Sequence, residues 1–161
     1  MKCEQCGGPV TVGHENYSYT ASGLPNVTLV GVEVRRCTEC GEHEVVIPKI
    51  EKLHRAIAMA VVGKKTRLTA EEIRFLRKYL GWSGADFARH MGVTPESISR
   101  WENEKERMNP VADRLIRLMV VTKAPVADYS LDALADLQDK STPTRMKLYA
   151  SPKDWRAEVA A

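Results

Sequence analysis

The chain has 161 residues, enough for one ordinary domain or two small ones; 43% are hydrophobic but only 6% aromatic, so a core is sustainable but no single core is large. Charged residues reach 28%, no apolar run approaches the roughly 18 residues a membrane span needs, and Met1-Lys2-Cys3 lacks the apolar stretch of a secretory signal, so the sequence reads as cytoplasmic with no membrane segment. The net charge of +3 is uneven: residues 1–63 carry six Lys/Arg against seven Asp/Glu, residues 64–125 thirteen against eight, and residues 126–161 five against six, so only the middle segment suits a polyanion.

Cys3, Cys6, Cys37 and Cys40 form two Cys-x-x-Cys pairs and are the only cysteines. Each pair can grip one ion, and two pairs complete the tetrahedral four-sulfur shell that structural zinc prefers. Glycines follow both pairs, at Gly7-Gly8 and Gly41, where they allow a sharp turn that aims amide N–H groups at sulfur. Two disulfides, a redox dithiol and an iron–sulfur cluster are the competing uses of four cysteines. A reducing compartment disfavours the first, and the second usually needs one pair opening a helix. One structural Zn2+ per chain is the reading adopted. His43 and His14 then read as surface residues, because four cysteines fill the shell. A closed shell leaves no position for water, so the metal is not catalytic.

Tyr17, Tyr19, Val27, Leu29, Val32 and Val34 mark strands broken by Ser22-Gly23-Leu24-Pro25-Asn26, and Val45-Val46-Ile47 forms a short strand ended by Pro48. Residues 49–62 have helical spacing at Ile50, Leu53, Ile57 and Val61, closed by Gly63, with Lys64-Lys65-Thr66-Arg67 as an exposed linker. The fold class is α+β: a zinc-binding domain over 1–63, an all-α domain over 64–125 and a C-terminal extension over 126–161.

Residues 69–120 read as four short helices. Thr69 and Glu72 form a capping box before Ile73, Leu76 and Leu80, and Gly81 ends the helix. Ser83 caps the second helix, with Phe87, Ala88 and Met91 inward and Gly92 as a left-handed stop. Thr94 caps the third, with Pro95 at its first position and Ile98 and Trp101 in the core. Asn109-Pro110 opens the fourth, with Val111, Leu115, Leu118 and Met119 inside. A small residue, a turn glycine and a crossing helix at Ala88, Gly92 and Ile98 describe a DNA-reading helix-turn-helix. In the extension, Ser130 caps a helix carrying Leu131, Leu134 and Leu137, Thr142-Pro143 breaks it, and Ser151-Pro152 starts another short one.

The stretch Leu68–Arg77, with Phe87-Ala88, Gly92-Val93-Thr94 and Ile98-Ser99-Arg100-Trp101-Glu102-Asn103, resembles the Cro/C1-type (Xre) repressor family over about 50 residues. The start of the third helix then enters the major groove. Arg100 is the candidate reader of guanine O6 and N7; Glu96, Ser97 and Ser99 are the other base-facing candidates. Glu96 can accept from cytosine N4, hold Arg100 one turn away, or simply complement the helix dipole. Ser83, Arg89, Thr94, Asn103, Lys105 and Arg107 are the phosphate candidates.

The order of the two parts, with Met1-Lys2-Cys3-x-x-Cys6, the Val32–Cys37 strand, Cys37-x-x-Cys40 and Ser99-Arg100-Trp101-Glu102, resembles the MqsA (YgiT-type) antitoxin family over residues 1–120. That resemblance implies a structural zinc, a toxin-binding N-terminal domain directed at a ribonuclease encoded by an adjacent gene, and a homodimer that represses its own operon at a palindromic operator. Where the family has an asparagine four residues before its arginine, this chain has Glu96. Asparagine reads adenine, so a different operator is implied. A zinc-finger regulator without a toxin shares every motif, and a protein-interaction adaptor or a dithiol oxidoreductase are the rival classes. No paired carboxylates, nucleophile–base signature or phosphate loop supports an enzyme.

Overall fold

In the computed structural model, which describes residues 1–123 and 138–160, the fold is α+β. The centre of its sheet is β2 (Val27–Cys37). β1 (Val10–Ser18) lies antiparallel along one edge of β2. β3 (His43–Val46) pairs with the far half of the other edge. The inward positions of β2 are Val27 and Leu29, then Val32 and Val34. This change of parity has a local cause. Glu15 pairs with Val32 and Tyr17 with Leu29, so Val30 and Gly31 together face Asn16. Gly31 sits at φ 62, a conformation that suits glycine, and donates its N–H to Asn16 Oδ1 at 3.1 Å. The bulge lets both halves of one strand bury β-branched residues.

α1 (Ile50–Val62) packs β-sheet on one side and helices on the other. Its buried face is Leu53, Ile57, Ala58, Val61 and Val62; Ile50, expected inside, is 47% exposed. The helices α2 (Ala70–Tyr79), α3 (Gly84–Met91), α4 (Pro95–Glu102) and α5 (Pro110–Lys123) follow. Their starts are where the capping residues place them. Thr69–Glu72 and Ser83–Asp86 are reciprocal capping boxes, and Thr94 caps Ser97 N–H ahead of Pro95.

Two expectations fail in α5 and the linker before α2. The buried face of α5 is Ala112, Asp113, Ile116, Arg117 and Val120, whereas Val111 is 75% and Leu118 is 38% exposed. The helix is turned because it buries an ion pair, with Arg117 Nε on Asp113 Oδ1 at 2.7 Å. Arg117 also donates to the carbonyls of Val62, Lys64 and Thr66, so the linker is held down rather than free in solvent. Lys64 is buried as well. Desolvation pushes its pKa down, while Glu72 at 2.6 Å pulls it back up.

The chain's end returns to the first sheet. β4 (Met146–Ala150) runs parallel to the first half of β2, and β5 (Trp155–Val159) completes a hairpin with β4. The short helix expected at Ser151-Pro152 is instead this hairpin's turn, closed by Ser151 N–H on Asp154 O at 2.8 Å and Asp154 N–H on Ser151 Oγ at 3.0 Å. The two-residue alternation of Met146 and Leu148, both buried, supports strand and not helix. The helix expected from Ser130 falls outside the described residues. Thr144 bonds through N–H and Oγ1 to Glu72 Oε1, tying the returning chain to the start of α2. Trp155 is buried and donates Nε1–H to Pro48 O at 2.7 Å. Trp155→Ala is expected to cost about 3–5 kcal/mol. A urea midpoint unchanged from wild type would show that the hairpin adds nothing to the fold.

Candidate metal centre and nucleic-acid interface

The two cysteine knuckles are copies of one backbone design. Cys3 N–H donates to Gly8 O and Gly7 N–H to Cys3 O; Cys37 N–H donates to Glu42 O and Gly41 N–H to Cys37 O. Gly7 and Gly41 take φ of 75 and 76, the left-handed turn that the sequence reserves for glycine. Each turn aims a backbone N–H at its second sulfur: Gly8 N–H at Cys6 Sγ, 3.4 Å, and Glu42 N–H at Cys40 Sγ. Thr38 N–H to Pro9 O, 3.1 Å, binds the knuckles together.

All four thiols are free, and their sulfurs lie within 4.8 Å of one another. Cys3 and Cys40 are 3.7 Å apart, Cys6 and Cys37 3.4 Å. A tetrahedral ion with bonds of about 2.3 Å places its sulfurs about 3.8 Å apart. The set therefore fits a closed four-thiolate ion with little adjustment. Amide N–H groups of Cys40 and Glu39 lower the Cys37 thiol to about 6. Cys40 also accepts an N–H, from Glu42, yet the neighbouring thiols Cys6 and Cys37 raise it to about 12. Sulfurs this close cannot all hold charge without a cation among them. His43 and His14 are exposed and lie outside the cluster.

The second site is the outer face of α4. Gly92 stops α3 at φ 67, and Val93 N–H reaches Ala88 O at 3.0 Å. Phe87, Ala88, Ile98 and Trp101 are buried between the helices. Arg100 projects outward with its side chain 59% exposed. Its carboxylate neighbour is Glu106, 3.6 Å from NH1; the Glu96–Arg100 pairing, one of the roles open to Glu96, is not formed. Glu96 is exposed. Ser97 is half-buried, its Oγ 3.2 Å from Thr94 Oγ1, and exposed Ser99 shares its Oγ with Asn103 Nδ2.

The remaining phosphate candidates divide by partner. Ser83 and Thr94 spend their hydroxyls on helix caps, and Asn103 donates to Ser99 O at 2.7 Å, closing α4. Arg89 is 76% exposed with Asp86 at 3.3 Å. Lys105 is exposed with no side-chain partner among the described residues, and Arg107 pairs with Asp139.

Sequence reasoning missed what sets the pose of α4. Glu102, nearly buried, receives both Arg77 Nε at 2.5 Å and Arg77 NH2 at 3.1 Å, while Arg74 caps its carbonyl at 2.6 Å. Arg77 and Glu102 both stand in the stretches quoted above, but nothing in their spacing pairs them. The Trp101 indole N–H is buried without a partner among the described residues.

A family model described as helix-turn-helix matches residues 73–128. The matched family is one of DNA-binding regulator domains. No curated protein and no solved structure matches the chain. Among the described residues, no helix is long and apolar enough to cross a membrane.

Proposed function

We propose that this protein is a sequence-specific transcriptional repressor and the antitoxin of a type II toxin–antitoxin pair. Its α4 reads a palindromic operator as a homodimer, and its cysteine lobe, holding one structural Zn2+, neutralises a ribonuclease toxin. The observation that carries the DNA reading is Arg100. It stands exposed on the outer face of a helix whose inner face is fixed by Ile98, Trp101 and the Arg77–Glu102 pair. A guanidinium presented this way can donate twice to guanine, a contact worth about 1–3 kcal/mol against a wrong base. Glu96, Ser97 and Ser99 share that face, and Ser83, Arg89, Thr94, Asn103, Lys105 and Arg107 surround it as backbone contacts. The toxin rests on the order of the motifs alone. A cytoplasmic location follows from a DNA partner.

Arg100→Ala is expected to abolish specific binding to the chain's own promoter while leaving the melting curve intact. Footprinting with wild type and variant decides this, and a preserved footprint in the variant removes Arg100 from base reading. Co-purification of an adjacent gene's product with the wild-type chain tests the antitoxin role. If promoter binding occurs with no such partner, the protein is a zinc-bearing regulator without a toxin.

A further inference from the structure

Two adjoining clefts of about 170 and 330 Å³ open between the linker ahead of α2, the loop after α4 and the segment that returns to the sheet. Arg67 and Arg107 line both clefts. Arg67 belongs to the linker and its backbone is fixed, Arg67 N–H donating to Lys140 O at 2.7 Å. Its guanidinium has no protein partner among the described residues, and the residue as a whole is half-buried. Arg107 does have one, the carboxylate of Asp139 on the returning segment. The cleft adjoins the reading face. Glu106, in its wall, is the carboxylate 3.6 Å from Arg100, so the loop carrying Arg107 is within a single side chain's reach of Arg100.

We propose that Arg67 and Arg107 form one receptor for a backbone phosphate of the bound duplex, and that Asp139 occupies Arg107 as a phosphate substitute until DNA displaces it. This inference rests on the DNA-binding reading above. Two arginines that line the same clefts favour a tetrahedral oxyanion with several acceptor oxygens. A carboxylate satisfies only part of that demand, and a single exposed ion pair is weak enough to exchange. The linker thereby contributes directly to DNA affinity, and the returning segment sets how much of that affinity is available.

The test is the salt dependence of binding, measured on the promoter duplex and on an unrelated duplex. Each phosphate contact adds about one to the slope of log K against log salt. Arg67→Ala is expected to reduce the slope by about one per protomer, about two for the bound dimer, on both duplexes, with Arg67→Lys restoring most of it. Asp139→Asn is expected to tighten binding to both duplexes, and to do nothing in an Arg107→Ala background. Unchanged melting curves show that the variants fold. Should Arg67→Ala keep the wild-type slope, or Asp139→Asn bind as wild type does, the receptor does not exist. Failure of the wild-type chain itself to bind its promoter sinks the DNA reading, and this inference with it.

Discussion

Arg117→Ala is expected to destabilise the protein by about 3–5 kcal/mol, the range for breaking a buried pair by removing one partner. Arg117 is fully buried, and every donor it uses is matched. Nε meets Asp113 at 2.7 Å, NH1 meets Val62 O at 3.0 Å and Lys64 O at 2.7 Å, and NH2 meets Thr66 O at 2.7 Å. Truncation leaves Asp113 as an uncompensated charge, itself only 4% exposed and still bonded to Leu68 N–H at 2.8 Å. It also removes the guanidinium donors from the last carbonyl of α1, at Val62, and from the linker carbonyls of Lys64 and Thr66. Arg117→Lys recovers little, because a point charge cannot span three carbonyls and a carboxylate. Arg117→Met with Asp113→Leu recovers part of the loss, since the orphan charge is gone while the carbonyls remain bare. Denaturant midpoints at constant m decide the matter. A loss below about 1 kcal/mol in Arg117→Ala would mean that water enters and substitutes for the guanidinium. Amide exchange over residues 62–68 should quicken in step with the loss, because Arg117 is what holds that segment against α5.

Arg117 also shows where sequence reading stops. Punctuation was legible: Thr69, Ser83, Gly92 and Thr94-Pro95 each dictate local backbone geometry through side chains that act within four residues. The cysteine pairs were legible for the same reason, their spacing being a local constraint. α5 was not. Asp113 stands one helical turn before Arg117, a spacing that also suits a solvated surface pair, and the three carbonyls that complete its burial lie more than fifty residues earlier in the chain. The apolar residues alone placed Val111 and Leu118 inside, and both are exposed. The C-terminal hairpin failed differently. Its strands have five residues each, and β4 joins β2 in parallel from far along the sequence. No local turn announces such pairing, whereas the turn at Ser151-Pro152 resembles a helix start. At the DNA face, Arg100 was legible as outward. Its neighbour Glu106 was not, because the pair closes through the shape of the loop after α4 and not through helical spacing.

Metal removal is expected to melt one end of the sheet and leave the helices folded. The reason lies in what packs beside each half of β2. Its first half carries Val27 and Leu29 into a core shared with Met146, Leu148, Leu53 and Ile57. Its second half offers Val32, Val34 and Cys37, and the strand beside it is exposed from Thr11 to Asn16. So little apolar surface cannot offset the entropy of ordering two knuckles, about 1–2 kcal/mol per residue for the backbone alone. A four-thiolate zinc contributes an apparent 10–16 kcal/mol in small zinc peptides near neutral pH, enough to reverse that balance. Under excess chelator, amide protection should vanish over residues 1–12 and 33–46, and the four thiols should react with a thiol reagent together. Val27–Leu29 and α2–α5 should retain their protection, because their packing owes nothing to the ion. Cys37→Ser should reproduce the chelated pattern without chelator, since the ligand it removes is also the buried hinge between β2 and the second knuckle. If α2–α5 lose protection at the same chelator concentration, the cysteine lobe is part of the helical core's own stability. If instead no region loses protection and the thiols react from the start, the site holds no ion in solution.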